Sequence, residues 1–80
     1  VVYVNDVECV AGCRLLLKEE AILAGGSSGA IVSGFAKAKA DIPKNSNVVM
    51  ILPDRGERYL DTIYNPEWIG KNLGEIPSLL

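Results

Sequence analysis

Eighty residues, 49% of them hydrophobic, with a formal net charge of −2 and no histidine, make a short, apolar, weakly acidic chain. Such a chain buries only about 60% of its unfolded surface by itself, so the apolar content predicts burial against something larger, and an opening Val1-Val2-Tyr3-Val4 without initiator Met reads as a piece of a longer polypeptide. The eight Lys and Arg are scattered, which argues against nucleic acid; no apolar stretch nears the ~20 residues that span a bilayer and no signal peptide is visible, so a cytoplasmic segment is expected.

Val1 to Val4 has the β-branched composition of a buried strand. Asn5 with Glu8 three positions on forms a capping-box pattern, predicting a helix from about Asp6 to about Glu20. Cys9 and Cys13 stand one helical turn apart, on the same arc as Val10, Leu16 and Leu17. That spacing matches neither a zinc ribbon nor a redox pair, so both are expected to be small core side chains. Ala21 to Ala24 then leads into Gly25-Gly26-Ser27-Ser28-Gly29. Ser28 is the natural cap of a second helix reaching about Ala40, with Ile31, Phe35 and Ala38 on one face. Ala30 and Gly34 are small enough to let another backbone come close.

Asp41 to Asn47 has loop composition. Val48-Val49-Met50-Ile51-Leu52 is a continuous apolar run, the pattern of a strand covered on both faces in a parallel sheet. Pro53-Asp54-Arg55-Gly56 supplies turn chemistry, Glu57 to Tyr64 a short helix, and Asn65-Pro66-Glu67 a cap with Pro at the first helical position before Trp68. The tail from Gly70 to Leu80 reads as irregular. Strand, helix, turn, helix, strand, helix is the order of a layered α/β fold.

The glycine turn is the candidate site. Glycines let a backbone bend sharply and approach a ligand closely, and a helix start presents unpaired N–H groups and a positive dipole end. A polar small molecule, often a phosphate, is the expected guest. The turn lacks both the Gly-x-Gly-x-x-Gly spacing and the Lys-Ser/Thr ending of a P-loop, which weakens a nucleotide-binding module. Without histidine, the commonest general base and metal ligand are missing, and no metal is expected.

Ile22-Leu23-Ala24-Gly25-Gly26-Ser27-Ser28-Gly29-Ala30, followed downstream by Val49-Met50-Ile51-Leu52-Pro53-Asp54-Arg55-Gly56-Glu57-Arg58-Tyr59-Leu60, resembles the C-terminal part of the cysteine synthase and cystathionine β-synthase family. These are pyridoxal-phosphate enzymes of fold type II. The resemblance covers nearly the whole chain. It implies that residues 1–80 are one segment of a larger catalytic domain, a parallel sheet with flanking helices, with no separate domain within it. Pro53-Asp54-Arg55-Gly56 and Asp61-Thr62-Ile63-Tyr64 look closest to the siderophore-pathway branch, which joins O-phosphoserine and glutamate. Cysteine synthases, which use sulfide with O-acetylserine or O-phosphoserine, resemble the sequence almost as well. A non-catalytic interaction module is the alternative of another class.

By this resemblance Ser27 hydrogen-bonds the pyridine nitrogen of pyridoxal phosphate, with Gly26, Pro53 and Asp54 as further cofactor-binding residues. A carboxylate there would hold the nitrogen protonated and make the ring a strong electron sink, whereas a neutral hydroxyl enforces no charge and suits β-replacement better than transamination. The glycine turn is then expected to face the ring rather than the phosphate. Ser27 as a mere helix cap, in competition with Ser28, is the structural alternative. Asp54 has two equal readings: a position near the pyridine side of the ring, or a cap for the helix beginning near Glu57. Arg55 and Arg58 are expected to be solvated rather than substrate contacts, and Tyr59 and Trp68 to be packing anchors. None of Lys18, Lys37, Lys39, Lys44 or Lys71 has the context of the family's Schiff-base lysine, so no catalytic residue is expected in this segment. The resemblance also implies a homodimer, with amino-acid substrates and the remainder of the polypeptide as the other partners.

Overall fold

Helix α1 spans Asp6–Glu20, as its local signals predict, in a computed structural model that describes residues 1–78. The capping box forms: Glu8 N–H donates to Asn5 Oδ1 at 2.8 Å, and Asn5 N–H donates to Glu8 Oε1 at 3.0 Å. A cap of this kind is worth about 1 kcal/mol. Acidic Asp6 and Glu8 in the first turn and Lys18 in the last complement the helix dipole. Lys37 completes this end of the molecule, reaching across to Glu8 at 2.7 Å and donating to the Tyr3 carbonyl. It holds the Glu8 carboxyl below its ordinary range, with help from the Asn5 amide.

Helix α2, Gly26–Ala38, packs against α1. It begins three residues earlier than expected, with Gly25 rather than Ser28 as its N-cap, and a 3₁₀ turn over Lys39–Asp41 follows it. The crossing is set by glycines on facing helices. A Cβ on Gly12 would lie 2.1 Å from the Gly29 carbonyl oxygen, and a Cβ on Gly29 would lie 2.1 Å from the Cys9 carbonyl oxygen. The close approach expected at the small Ala30 and Gly34 falls instead at Gly29, and a Cβ on Gly34 would meet only Val4 Cγ2 at 3.8 Å. The buried face of α2 is correspondingly small and polar (Ser28, Gly29, Val32 and Ser33), while Ile31, Phe35 and Ala38 are half-buried. The Ser33 hydroxyl donates to the Glu8 carbonyl, which satisfies it inside the interface.

Two small cores flank this crossing. Val10, Cys13, Ile63 and Ile69 form one, with Tyr59, Tyr64 and Trp68 packed against it, and Leu16, Ala24 and Val32 form the other. Cys13 sits in the core as expected; Leu17, expected beside it, is exposed. Glu57–Tyr59 is a 3₁₀ turn followed by turns through Tyr64, in place of the expected short helix. Helix α3, Pro66–Asn72, starts where Asn65 and Pro66 predict, with Asn65 Oδ1 accepting from Glu67 N–H at 2.9 Å, and it continues beyond Gly70 into the expected tail.

Neither Val1–Val4 nor Val48–Leu52 joins a strand ladder among the described residues, where the only pairing is an isolated antiparallel bridge between Ala24 and Arg55. The expected parallel sheet is not formed here. A strand requires a partner backbone, and these residues supply none to either run, so Val1, Tyr3, Val49 and Ile51 lie largely exposed. No helix among the described residues is long and apolar enough to cross a membrane.

Candidate functional site

The Ala24–Arg55 bridge ties the glycine turn to the end of the run at Val48–Leu52. Gly25 N–H donates to the Asp54 carbonyl at 3.3 Å, and Gly56 N–H donates to the Leu23 carbonyl at 3.1 Å. The two motifs of the sequence reading, remote along the chain, are thus joined side by side.

The Asp54 side chain then caps α2. Its Oδ1 accepts from Ser28 N–H at 3.2 Å and from the Ser28 hydroxyl at 2.7 Å, and its backbone carbonyl accepts from the same hydroxyl at 3.2 Å. This corrects two expectations. Ser28 is not the cap but a buried residue of the first turn, and Asp54 caps α2 rather than the turn at Glu57. The reason is that Gly25, the residue at the N-cap, has no side chain with which to accept, so a carboxylate from another segment takes the place. The start of α2 is thereby occupied by negative charge, and the geometry opposes a phosphate cradle there.

Behind the turn, the Cys13 thiol donates to the Gly25 carbonyl at 3.2 Å, and the Tyr64 hydroxyl donates to the Ala24 carbonyl. Burial pushes the Cys13 thiol above its ordinary value, so it stays protonated and structural. Burial, then the neighbouring Cys13, pushes Tyr64 up to about 12. An unfolded tyrosine titrates near 10, so the native state holds this proton more tightly, and the associated stability is present below pH ~10 and lost as pH rises toward ~12. In the full-length protein, Tyr64→Phe is expected to remove the highest-pH component of phenolate absorbance, to cost about 1 kcal/mol at neutral pH, and to flatten the loss of stability in this alkaline window. An unchanged titration would mean that Tyr64 is solvated.

In front of the turn, Ser27 is exposed and lies on a groove of about 500 Å³. Asp6, Gly26, Ser27 and Thr62 line it together with the apolar Tyr59, Ile63 and Trp68. Cys9 lines the groove too; burial, then the nearby Asp6 and Glu8 carboxylates, raises its thiol pKa, so it is no ready nucleophile. Among the four residues expected to bind cofactor, Ser27 and Gly26 share this groove, while Asp54 stands behind the turn as the cap and the exposed Pro53 precedes it. Arg55 and Arg58 are exposed, Tyr59 and Trp68 pack against the core, and no lysine lines the groove. The sequence reading missed the backing of the turn by Cys13 and Tyr64, since nothing in the spacing of these residues marks them as neighbours of Gly25.

The groove thus sets Ser27, Thr62 and the carboxylate-bearing Asp6 beside apolar and aromatic side chains, a mix common to small-molecule sites.

No protein-family model matches the chain. It is 46% identical over 71 residues to the N-(2-amino-2-carboxyethyl)-L-glutamate synthase of Ralstonia nicotianae, a match covering 89% of this chain and 21% of that protein. A crystal structure of an O-ureido-L-serine synthase, a lysine-to-alanine mutant bound to O-ureido-L-serine, superposes with a TM-score of 0.67 at 32% identity over 89% of this chain and 21% of that one. The chain thus spans about a fifth of the length of each protein that it matches.

Proposed function

We propose, for a chain that belongs to the cysteine synthase family of pyridoxal-phosphate enzymes, that these 80 residues form one wall of a β-replacement active site. In this reading they are a segment of a larger fold type II catalytic domain with no separate domain of their own. The reaction we assign joins O-phospho-L-serine and L-glutamate to give N-(2-amino-2-carboxyethyl)-L-glutamate, a step toward 2,3-diaminopropionate and siderophores, in a cytoplasmic homodimer. The observation that carries this reading is the 46% identity to a synthase of that name over 89% of the chain, a span that includes both the glycine turn and the Pro53–Gly56 motif.

Pyridoxal phosphate, when bound, supplies the electron sink that lets a leaving group depart from the substrate Cβ. Ser27 would hold the pyridine nitrogen with a neutral hydroxyl, which would not itself impose a proton on the ring. Gly26, Ile63 and Trp68 would line the groove around it, with Asp54 capping the helix that starts at the turn and Pro53 next to Asp54 in the chain. The amine that anchors the cofactor comes from elsewhere in the polypeptide, since the groove holds no lysine.

The test is a competition in the full-length protein between glutamate and sulfide as acceptors for O-phosphoserine. Glutamate is expected to win, with phosphate released in step with the new C–N bond, and Ser27→Ala is expected to lower kcat/KM by roughly ten- to a hundredfold, the loss of about one hydrogen bond to a charged or polar partner. A preference for sulfide would make the protein a cysteine synthase. Absence of bound cofactor absorbance would point to a non-catalytic interaction module.

A further inference from the structure

The first turn of α2 is built from residues that hold a helix poorly. Gly26, Ser27, Ser28 and Gly29 occupy its first four positions, and the N-cap, Gly25, makes no side-chain cap bond. Glycine and serine both cost helix stability relative to alanine, so this turn would fray if left to itself, and the direction of the Ser27 hydroxyl would fray with it. What restrains it is Asp54, 26 positions from Ser28 along the chain. The carboxylate accepts from both the amide and the hydroxyl of Ser28, whose side chain is fully buried, and the Asp54 carbonyl accepts from that hydroxyl and from Gly25 N–H. Ser27 lies between the two braced residues and lines the groove.

We propose that Asp54 is a positioning residue for Ser27, acting through Ser28 and Gly25 rather than on the ligand itself. This rests on the reading that Ser27 meets the pyridine nitrogen of pyridoxal phosphate. Asp54 pins the residues on either side of Ser27, so the hydroxyl is oriented before the ring arrives and little ordering remains to be done on binding. The same carboxylate neutralises the start of α2 and keeps anions away from it, so that the ring and not the phosphate end of the cofactor is received at this turn.

The test compares Asp54→Ala, Asp54→Asn, Ser27→Ala and the Asp54→Ala/Ser27→Ala double variant in the full-length protein. Two quantities are read. Hydrogen exchange of the Gly25–Gly29 amides in the cofactor-free protein reports the brace, and the dissociation constant of pyridoxal phosphate reports the contact. Asp54→Ala is expected to speed exchange at these amides about tenfold and to weaken cofactor binding by a similar factor. Ser27→Ala is expected to weaken binding comparably and leave exchange unchanged. The double variant is expected to bind no worse than Ser27→Ala alone, because both changes act through one hydroxyl. Asp54→Asn retains a side-chain oxygen acceptor and is expected to fall between wild type and Asp54→Ala; it carries the test if the alanine variant does not fold. Unchanged exchange in Asp54→Ala or Asp54→Asn overturns the brace. Losses that multiply in the double variant overturn its action through Ser27. Wild-type binding by Ser27→Ala, with fast exchange still seen in Asp54→Ala, overturns instead the ring contact on which the proposal stands.

Discussion

Gly29→Ala is expected to be the most damaging single-methyl change in this segment, costing about 3 kcal/mol in the full-length protein. The added Cβ would lie 2.1 Å from the Cys9 carbonyl oxygen, 2.5 Å from Cys13 Sγ and 3.0 Å from the Cys13 nitrogen. The sulfur belongs to a side chain that could shift, but the carbonyl and the amide are backbone atoms of α1. Relief therefore requires the two helices to separate, which opens both small cores. Gly12→Ala is expected to do similar harm, because its Cβ would strike the Gly29 carbonyl from the opposite side. Removing the sulfur should bring little rescue: Gly29→Ala combined with Cys13→Ala keeps the clash with the Cys9 carbonyl. Gly34→Ala is the control. Its Cβ has only an ordinary contact at 3.8 Å, and the higher helix propensity of alanine should stabilise the protein by up to about 1 kcal/mol. Denaturant midpoints of the four variants decide the matter, and a Gly29→Ala protein as stable as wild type would place the helix crossing elsewhere.

Gly25→Ala is expected to act on the site rather than on the core. The backbone at Gly25 has φ −86° and ψ 179°, which alanine adopts freely. The obstacle is steric: a Cβ would lie 2.0 Å from Asp54 Oδ2, 2.4 Å from Asp54 Cγ and 2.8 Å from Tyr59 Cε2. These atoms belong to side chains, so the structure yields by pushing the carboxylate aside, and in moving it releases Ser28. The variant should lose about 1–2 kcal/mol, the worth of a helix cap, and should bind pyridoxal phosphate about as weakly as Asp54→Ala. Combining the two substitutions should cost little more than either one, since the methyl group can displace only a carboxylate that is present. Additive losses would show that Gly25 matters for another reason.

Both effects bear on what is legible in the sequence. The limits of α1 and the start of α3 are readable because their caps are local: Asn5 with Glu8, and Asn65 with Pro66, lie within one turn of what they satisfy. The start of α2 is not, because its capping group, Asp54, comes from a distant segment, which leaves Ser28 as the nearest hydroxyl and so the apparent cap. The sequence places the close approach at Ala30 and Gly34 for a related reason. Close approach is a property of a pair of residues on two helices, and nothing along one helix distinguishes Gly29 from its neighbours. The resemblance to a known family links the glycine turn to the Pro53–Gly56 motif correctly, and the bridge between Ala24 and Arg55 gives that link a physical form. The expected sheet rests on the composition of Val1–Val4 and Val48–Leu52 and on the family resemblance, but apolar composition specifies only that a run wants cover and not which backbone provides it.

Those two uncovered runs also govern how the segment can be handled. Val1–Val4 and Val48–Ile51 carry mostly exposed apolar side chains on backbone that no neighbouring strand claims among the described residues. Such stretches are templates for intermolecular pairing. Produced on its own, the polypeptide would satisfy them with copies of itself, and its solubility would then report self-association rather than the soundness of its helices.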